Sequence, residues 1–375
     1  RRRSLKRGET AEMPDGRHAT RRADQVPKRR VYLDYNATAP LRAEARDAMV
    51  AAFDLVGNPS SVHAEGRAAK GLIERARGQI AAAFGAEGAD VIFTSGATEA
   101  AALACAGRGL HGSGIEHDAV GAWVDDSLAV DADGRVTVMD PAKSVLQAAN
   151  SETGVVQDLP QGLAVVDATQ AFGKLPVALN WMGCEMALIS AHKLGGPKGI
   201  GALVVRRGTD IAAQLRGGGQ EMGRRAGTEN VAAIAGFGAA AEAAARDLAD
   251  GVWERVAGFR KILEKGIEAG SKETILVGKA VGRLPNTCCF VTPGWKGETQ
   301  VMTMDLAGFA VSAGSACSSG KVRASKVLTA MGYDEGQAAC AMRVSLGPDT
   351  SEEDVLRFVD VWLDKMERHR ARSAA

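Results

Sequence analysis

The alternation of short apolar runs with helical stretches is the feature that most constrains how this chain can fold. From residue 31 onward, strand-like runs are separated by helical patterns. The predicted strands span residues 91–94, 145–149, 164–167, 186–190 and 202–205, and the predicted helices include residues 64–84 and 98–106. Strands separated by helices form mostly parallel sheets that bind ligands at the strand ends. We therefore predict a large α/β domain.

The second half of the chain predicts a smaller α+β unit. Residues 229–268 form an almost continuous Ala-rich helical pattern that is interrupted near Gly251. Downstream, we predict strands at residues 288–292 and 309–312 and helices at residues 325–331 and 351–370, which form this unit together with residues 343–346. The expected organisation is a leader at residues 1–30, an N-terminal segment with the large domain at 31–240, and a small domain at 241–375.

One connection in the large domain is short. Twelve residues, 151–162, join two predicted strands, and they include Pro160 and two glycines. A parallel crossover usually contains a helix and needs at least about ten to twelve residues. We therefore predict an extended or single-turn crossover, with no helix longer than one turn.

The charge is unevenly distributed. The net charge is +1, but residues 1–30 hold eleven Lys and Arg against four Asp and Glu. A basic segment of this kind can contact nucleic acid or an acidic partner. Because it lacks apolar periodicity, we instead expect a disordered leader and no direct nucleic-acid partner. No apolar run reaches the roughly 18 residues that a membrane helix needs, so we also expect no membrane association.

The six cysteines are scattered and contain no CxxC pair. This spacing favours neither a disulfide framework nor a zinc site, and it predicts a reducing, cytoplasmic location. Apolar surroundings predict core positions for most of them: Cys105, Cys184, Cys288 and Cys289, with Cys340 in a helical, Ala-rich context. Cys317 differs, because it lies in the Gly- and Ser-rich stretch 314–320, which predicts a mobile loop. Basic residues follow it and would favour the thiolate: Lys321, Arg323 and Lys326.

Two strand ends carry candidate catalytic side chains. The sequence Ser190-Ala191-His192-Lys193 ends an apolar strand and precedes a Gly-rich turn. A lysine held there can be desolvated and form a Schiff base, although a lysine in such a turn is ordinarily solvated. Asp167 ends another apolar strand, where it would either need a cationic partner or cap a helix.

A strand-to-helix turn at residues 94–99 is rich in small residues. Its backbone N–H groups and the helix dipole suit a phosphate dianion, although the same pattern is also an ordinary helix cap. Glycine-rich segments at residues 217–219 and 225–228 are, on their own, common loops.

Taken together and in this order, these segments resemble the cysteine desulfurases of the class V aminotransferase family, which are pyridoxal-phosphate enzymes of fold type I. The resemblance runs from Tyr32 to the C-terminus. It also includes residues 32–40, 57–61, 116–120, 150–154, 314–319 and 343–347. The chain departs from the family pattern at Ser151 and Ala191, and in the short segments 151–162 and 110–115. The resemblance implies a large domain with a mostly parallel seven-stranded sheet and a smaller α+β domain.

The resemblance implies a role for each matching residue at the cofactor, pyridoxal 5'-phosphate. Lys193 would bind it covalently, Asp167 would pair with the pyridinium nitrogen, and Gln170 would bond the phenolic oxygen. His117 would stack on the ring and move protons. The phosphate would be held by Ala97, Thr98, Ser190 and His192, with Thr228 reaching it from the second subunit of a homodimer. Asn150 would contact cofactor and substrate, and Arg343 would grip the carboxylate of L-cysteine.

The implied reaction converts L-cysteine to L-alanine and leaves a persulfide on Cys317. The sulfur would pass to a protein acceptor such as an iron–sulfur scaffold, or to tRNA thiolation, as in the longer-looped group of the family. Two alternatives stay open. A class V aminotransferase or selenocysteine lyase would keep the cofactor residues, and ordinary transamination would not need Cys317. A non-catalytic partner of another desulfurase would account for the shortened core.

Overall fold

The computed structural model describes residues 29–314 and 324–373. The strands in this part of the chain are β1 (Val31–Tyr32), β2 (Asp90–Thr94), β3 (Leu110–Ser113), β4 (Val124–Leu128), β5 (Val145–Gln147), β6 (Val165–Asp167), β7 (Met186–Ser190), β8 (Gly201–Val205), β9 (Ile275–Leu276), β10 (Thr287–Val291), β11 (Phe309–Ala310), β12 (Ser312–Ala313) and β13 (Ala341–Ser345). The helices are α1 (Ala43–Phe53), α2 (Ala64–Ala83), α3 (Ala97–Cys105), α4 (Asp118–Gly121), α5 (Leu179–Met182), α6 (Val231–Ala249), α7 (Val252–Gly270), α8 (Gly297–Leu306), α9 (Lys326–Ala330), α10 (Glu335–Ala338) and α11 (Glu352–Ser373).

The large sheet has the strand order β2-β8-β7-β6-β5. Strands β5, β6 and β7 run parallel, and β8 is antiparallel to both of its neighbours. The parallel pair β3-β4 adjoins β5 through a parallel bridge between His111 and Ser144. Among the described residues, the sheet and this pair form one layer of seven strands, in which only β8 runs in the opposite direction. The predicted mostly parallel seven-stranded α/β fold is confirmed.

Both faces of this sheet are buried. Along β7, Ala187 and Ile189 face the core beneath α2 and α6, while Met186 and Leu188 face the core beneath α3. Strands covered on both faces are apolar throughout instead of alternating between apolar and polar residues. This is why the central strands were visible as continuous apolar runs in the sequence.

A second core surrounds a smaller antiparallel sheet with the order β12-β13-β10-β9. At its centre, Trp362 of α11 meets Phe290 edge-on, with ring centroids 5.2 Å apart, and donates its indole N–H to Gln300. The N-terminal strand β1 pairs with β11, so Val31 and Leu33 pack in this second core. The α+β character predicted for this region is confirmed, whereas the domain boundary at residue 240 stays a prediction.

The long helical pattern and the short crossover have the predicted form. The stretch 229–268 is two helices, α6 and α7, separated at Gly251, whose φ of +71° is a left-handed conformation that glycine adopts readily. Residues 151–162 contain no helix. Instead, Val155 and Val156 form bridges with Arg283 and Ala149, and the crossover is extended.

Most of the predicted leader lies outside the described residues. Its last two residues, Arg29 and Arg30, form ion pairs with Asp354 and Asp305. Within residues 29–314 and 324–373, no helix combines the length and the apolar character that crossing a membrane requires.

Candidate active site

A cavity of about 570 Å³ lies where β6 and β7 end and α3 begins. Most of the predicted site residues line its wall: Ala97, Thr98, His117, Asp167, Gln170, Ser190, His192 and Lys193. The chain therefore brings together side chains that are up to 96 positions apart in the sequence. The position agrees with the rule that open α/β sheets bind ligands at the carboxyl ends of their strands.

The start of α3 forms a turn on this wall that suits an anion. Ser95, Gly96, Ala97 and Thr98 all line the cavity, and Gly96 is the N-cap of the helix. A helix N-terminus carries unpaired N–H groups and a partial positive charge. The turn lies close against the sheet because Gly201 has no side chain: a Cβ there would be 2.8 Å from the Cα of Gly96.

Lys193 enters the cavity from the single turn that follows β7. Its Nζ donates to the backbone carbonyls of Asn36 at 2.7 Å and Ala37 at 2.9 Å. These carbonyls belong to the segment that follows β1, which crosses from the second core. The amine is thus held at the cavity wall by groups from a distant part of the chain.

Asp167 ends β6 and is 9% exposed. One carboxylate oxygen accepts the backbone N–H of Thr169 at 2.9 Å. No lysine or arginine of the described residues forms an ion pair with it, unlike most buried carboxylates. A cationic ligand in the cavity would supply the missing partner.

Both histidines of the site have a pKa below the usual value of histidine. His117 caps the short helix α4, and its Nδ1 accepts the N–H of Ala119 at 3.1 Å, which places the proton of the neutral ring on Nε2. Burial lowers the pKa of His117, although the negative charge of Asp167 acts in the opposite direction. Burial and the charge of Lys193 lower the pKa of His192 to about 4.

A hydrogen-bonded group behind Lys193 was not identified from the sequence. Gln170 Nε2 donates to the carbonyl of Asn36 at 3.0 Å, and its Oε1 accepts from Lys174 at 2.7 Å. Asn36 is 1% exposed and also bonds residues from three other parts of the chain: Ser151, the pair Asn286 and Thr287, and Ser345. Asn36 lay in a motif that carried the family resemblance, which was the only sequence signal for it.

Gln147 also lines the cavity and was not predicted. It is 3% exposed, and its amide donates to the carbonyl of Ile115 at 2.9 Å. Glu116, next to His117, is fully buried against the backbone N–H of Gln147. Burial, with the nearby charge of Asp167, raises the pKa of Glu116 to about 8, so this carboxyl is mostly protonated at neutral pH.

Arg343 and Asn150 lie one residue behind the cavity wall. Arg343 donates to Asp34 at 2.7 Å and to the carbonyl of Ser151, a lining residue, at 3.0 Å. Its Nε is buried and has no acceptor among the described residues. The oxygen of the Asn150 amide accepts from Glu152 and Thr153, so direct contact of Asn150 with a ligand stays a prediction.

The remaining two predicted residues are Thr228 and Cys317. Thr228 is exposed and does not line the cavity, which is what we expect of a residue that acts on a second subunit. Cys317 and the predicted mobile loop around it lie outside the described residues.

The other five cysteines are buried, as predicted for four of them, and none lines the cavity. Burial raises the pKa of Cys105 to about 12 and that of Cys184 to about 11, which keeps both thiols protonated and unreactive at neutral pH. Cys340 lies in the turn before β13, at the end of the short helix α10, and is 6% exposed.

One cavity thus combines a helix N-terminus, a lysine at a strand end and a buried aspartate that has no ion-pair partner among the described residues, an arrangement that agrees with the site expected for a class V aminotransferase. The family model "Aminotransferase class-V" matches residues 31–119 and 130–358, and the chain belongs to this family. It is therefore a pyridoxal-phosphate-dependent enzyme by family.

Curated relatives are named cysteine desulfurases. The protein named cysteine desulfurase IscS of Dictyoglomus turgidum is 37% identical over 370 residues, which cover 89% of this chain and 94% of the relative. A cysteine desulfurase of Frankia sp. strain EuIK1 is 39% identical over 383 residues, which cover 88% and 90%. A NifS-like protein of Rickettsia africae has a solved structure with a TM-score of 0.81 and 30% identity, covering 90% of this chain and 99% of that one. A structure of SspA in complex with cysteine has a TM-score of 0.70 and 28% identity, covering 86% and 100%.

Proposed function

We propose that this protein is a cysteine desulfurase that converts L-cysteine to L-alanine and holds the released sulfur as a persulfide on Cys317. The observation that carries the proposal is the joint placement of Lys193, Asp167 and His117 around one cavity with an anion-binding turn. The names of the relatives support the choice of substrate, and one structural relative was solved with cysteine.

The residues present fit pyridoxal phosphate. The turn at Ala97 and Thr98, with Ser190 and His192, would hold the phosphate, because these groups offer donors and a helix dipole. Asp167 would pair with the pyridinium nitrogen and Lys193 would bind the cofactor covalently. When bound, the cofactor supplies an electron sink for negative charge at the substrate Cα.

The remaining side chains position the substrate and move protons. His117 would stack on the ring, and its Nε2 can exchange a proton with the reacting atoms because Nδ1 is engaged by Ala119. The guanidinium of Arg343 would rotate from Asp34 and Ser151 toward the carboxylate of cysteine. Its Nε has no acceptor among the described residues. Asn150 would help to orient the same substrate.

The sulfur-transfer step balances without an added oxidant or reductant. The Cys317 thiolate attacks the substrate sulfur, a sulfur–sulfur bond forms, and the bond between that sulfur and the substrate Cβ breaks. The electron pair of the broken bond goes to the substrate carbon, which takes up a proton and becomes the methyl group of alanine. The carbon is thereby reduced, and the sulfur is oxidised to the persulfide level. The burial of the five described cysteines supports Cys317 as the nucleophile.

We further propose a homodimer in which Thr228, which is exposed and does not line the cavity of its own chain, would act on the cofactor phosphate of the second copy. The persulfide would serve a protein acceptor such as an iron–sulfur scaffold in the cytoplasm, and tRNA thiolation is a second route for the same sulfur.

The test is a product analysis of the full-length protein loaded with pyridoxal phosphate. We expect a visible absorbance band from lysine-bound cofactor, and formation of alanine with sulfide when L-cysteine and a thiol reductant are added. Formation of a keto acid instead would indicate a transaminase. Absence of the band would indicate a non-catalytic partner of another desulfurase.

Replacing Arg343 with lysine should weaken substrate binding and leave the cofactor bound. Lysine keeps a positive charge but loses the planar fork that matches a carboxylate. We expect the KM for cysteine to rise by an amount equivalent to about 1.5–3 kcal/mol, with an unchanged cofactor spectrum. An unchanged KM would mean that the carboxylate binds elsewhere.

Replacing Gly201 with alanine should loosen the phosphate-binding turn. The new Cβ would be 2.7 Å from the carbonyl oxygen of Ile189 and 2.8 Å from Gly96, both backbone atoms that cannot move aside easily. We expect a loss of about 1–3 kcal/mol in unfolding free energy, with weaker cofactor binding measured by titration. Gly71→Ala is the control, because a Cβ at this helical position meets nothing within 4 Å. Equal cofactor affinity in both variants would contradict the prediction.

A further inference from the structure

Lys174 is a buried lysine that the proposed reaction does not use. It is 2% exposed, and no carboxylate of the described residues forms an ion pair with it. Burial lowers the pKa of Lys174 well below its usual value, and the charges of Lys193 and Arg343 act in the same direction. Lysines are almost never fully buried without a negatively charged partner, so this position calls for a specific role.

We propose that Lys174 is a positioning residue that fixes which end of the Gln170 side-chain amide faces the cofactor. The inference rests on the proposed function and on the role that the family resemblance implies for Gln170, a hydrogen bond to the phenolic oxygen of pyridoxal phosphate. Lys174 does not line the cavity that contains Lys193 and Asp167, so it acts through Gln170 and Asn36.

The hydrogen bonds set the orientation of both amides. Gln170 Nε2 donates to the backbone carbonyl of Asn36 at 3.0 Å, and Asn36 Nδ2 donates to the backbone carbonyl of Ser151 at 3.1 Å. A backbone carbonyl only accepts, so in each amide the nitrogen faces the carbonyl and the oxygen faces away from it. Both oxygens meet Lys174: its Nζ is 2.7 Å from Gln170 Oε1 and 3.2 Å from Asn36 Oδ1.

This arrangement leaves a donor for the cavity. One N–H of Gln170 is used by Asn36, and the second remains for a ligand oxygen, since Gln170 lines the cavity. A neutral amine has two N–H groups, which match the two amide oxygens, so the arrangement is satisfied even when Lys174 is uncharged. Without Lys174, Gln170 Oε1 would be a buried acceptor without a donor, which would weaken the preference of the amide for this orientation.

The consequence can be read from the pH titration of the bound cofactor. A hydrogen-bond donor to the phenolic oxygen stabilises negative charge on that oxygen and lowers its affinity for the neighbouring proton. We expect Lys174→Met and Gln170→Leu each to raise the pH midpoint of the visible absorbance by about one unit. The double variant should have the midpoint of Gln170→Leu alone, because the two residues act as one unit.

The controls separate positioning from stability. Thermal unfolding of the apoproteins measures any structural loss, which would not move the absorbance midpoint by itself. Lys174→Gln keeps an N–H donor and should shift the midpoint less than Lys174→Met, and it serves as the test if the Met variant does not fold. A wild-type midpoint in Lys174→Met, or additive shifts in the double variant, would overturn this inference alone. If the unmodified protein showed no visible band, the proposed function would fail instead.

Discussion

We expect Lys193→Ala to abolish covalent cofactor attachment and to reduce turnover by about a thousandfold. Lys193 Nζ is held at the cavity wall by two backbone carbonyls, next to the buried Asp167 and the helix N-terminus that suit the ring and the phosphate. Loss of this amine removes both the attachment point and a group able to move the substrate Cα proton. The measurement is the visible absorbance, followed by borohydride reduction and peptide mapping.

Lys198 gives a matched control, because it lines the same cavity five positions further along the chain. Lys198→Ala should retain cofactor that borohydride fixes on the Lys193 peptide. Recovery of the fixed cofactor on any other lysine of the unmodified protein would show that Lys193 had been assigned wrongly.

The second large effect concerns Cys317. We expect Cys317→Ser to lower alanine formation to the level of the enzyme-free control while the cofactor remains bound. A serine hydroxyl is close in size to the thiol but stays protonated at neutral pH and cannot take up sulfane sulfur. Lys193, Asp167 and His117 are unchanged, so adding cysteine should still alter the absorbance spectrum.

Cys340→Ala is the corresponding control, since Cys340 is buried in a core away from the cavity. This variant should form alanine at a rate near that of the unmodified protein. Normal turnover by Cys317→Ser would rule out Cys317 as the sulfur acceptor.

The central strands could be predicted from the sequence because they are buried on both faces. Residues 186–190 were predicted to be a strand, and β7 has those bounds. The predictions for residues 91–94 and 202–205 differ from β2 and β8 by one residue each. Continuous apolar runs and the glycines around them carried these predictions.

The strands and the helix that the sequence did not predict have weak hydrophobic patterns. Strand β3 has the sequence LHGS, and β4 has VDDSL with its middle residues exposed, because this pair lies at the edge of the layer. Helix α1 buries only Ala45 and Ala52, so it has little amphipathic signal. Such elements depend on their neighbours more than on their own composition.

The sequence indicated many of the residues that line the cavity, but it did not indicate the hydrogen bonds that support them. The strand-end positions of Asp167 and Lys193 follow from the order of strands and turns. The bond between Lys193 and Asn36 joins residues 157 positions apart, and no local pattern indicates it. From the sequence alone, a lysine such as Lys174 is expected at the solvated surface, so its burial became evident only from the fold.

Mass spectrometry of the cofactor-loaded enzyme after brief exposure to L-cysteine tests the desulfurase mechanism most directly. The unmodified protein is digested without reductant, and each cysteine-containing peptide is weighed. We expect the mass of one added sulfur atom on the Cys317 peptide, together with one alanine per modified chain. Added sulfur on Cys340 or Cys105 instead, or alanine formation with no sulfur on Cys317, would contradict the proposed mechanism.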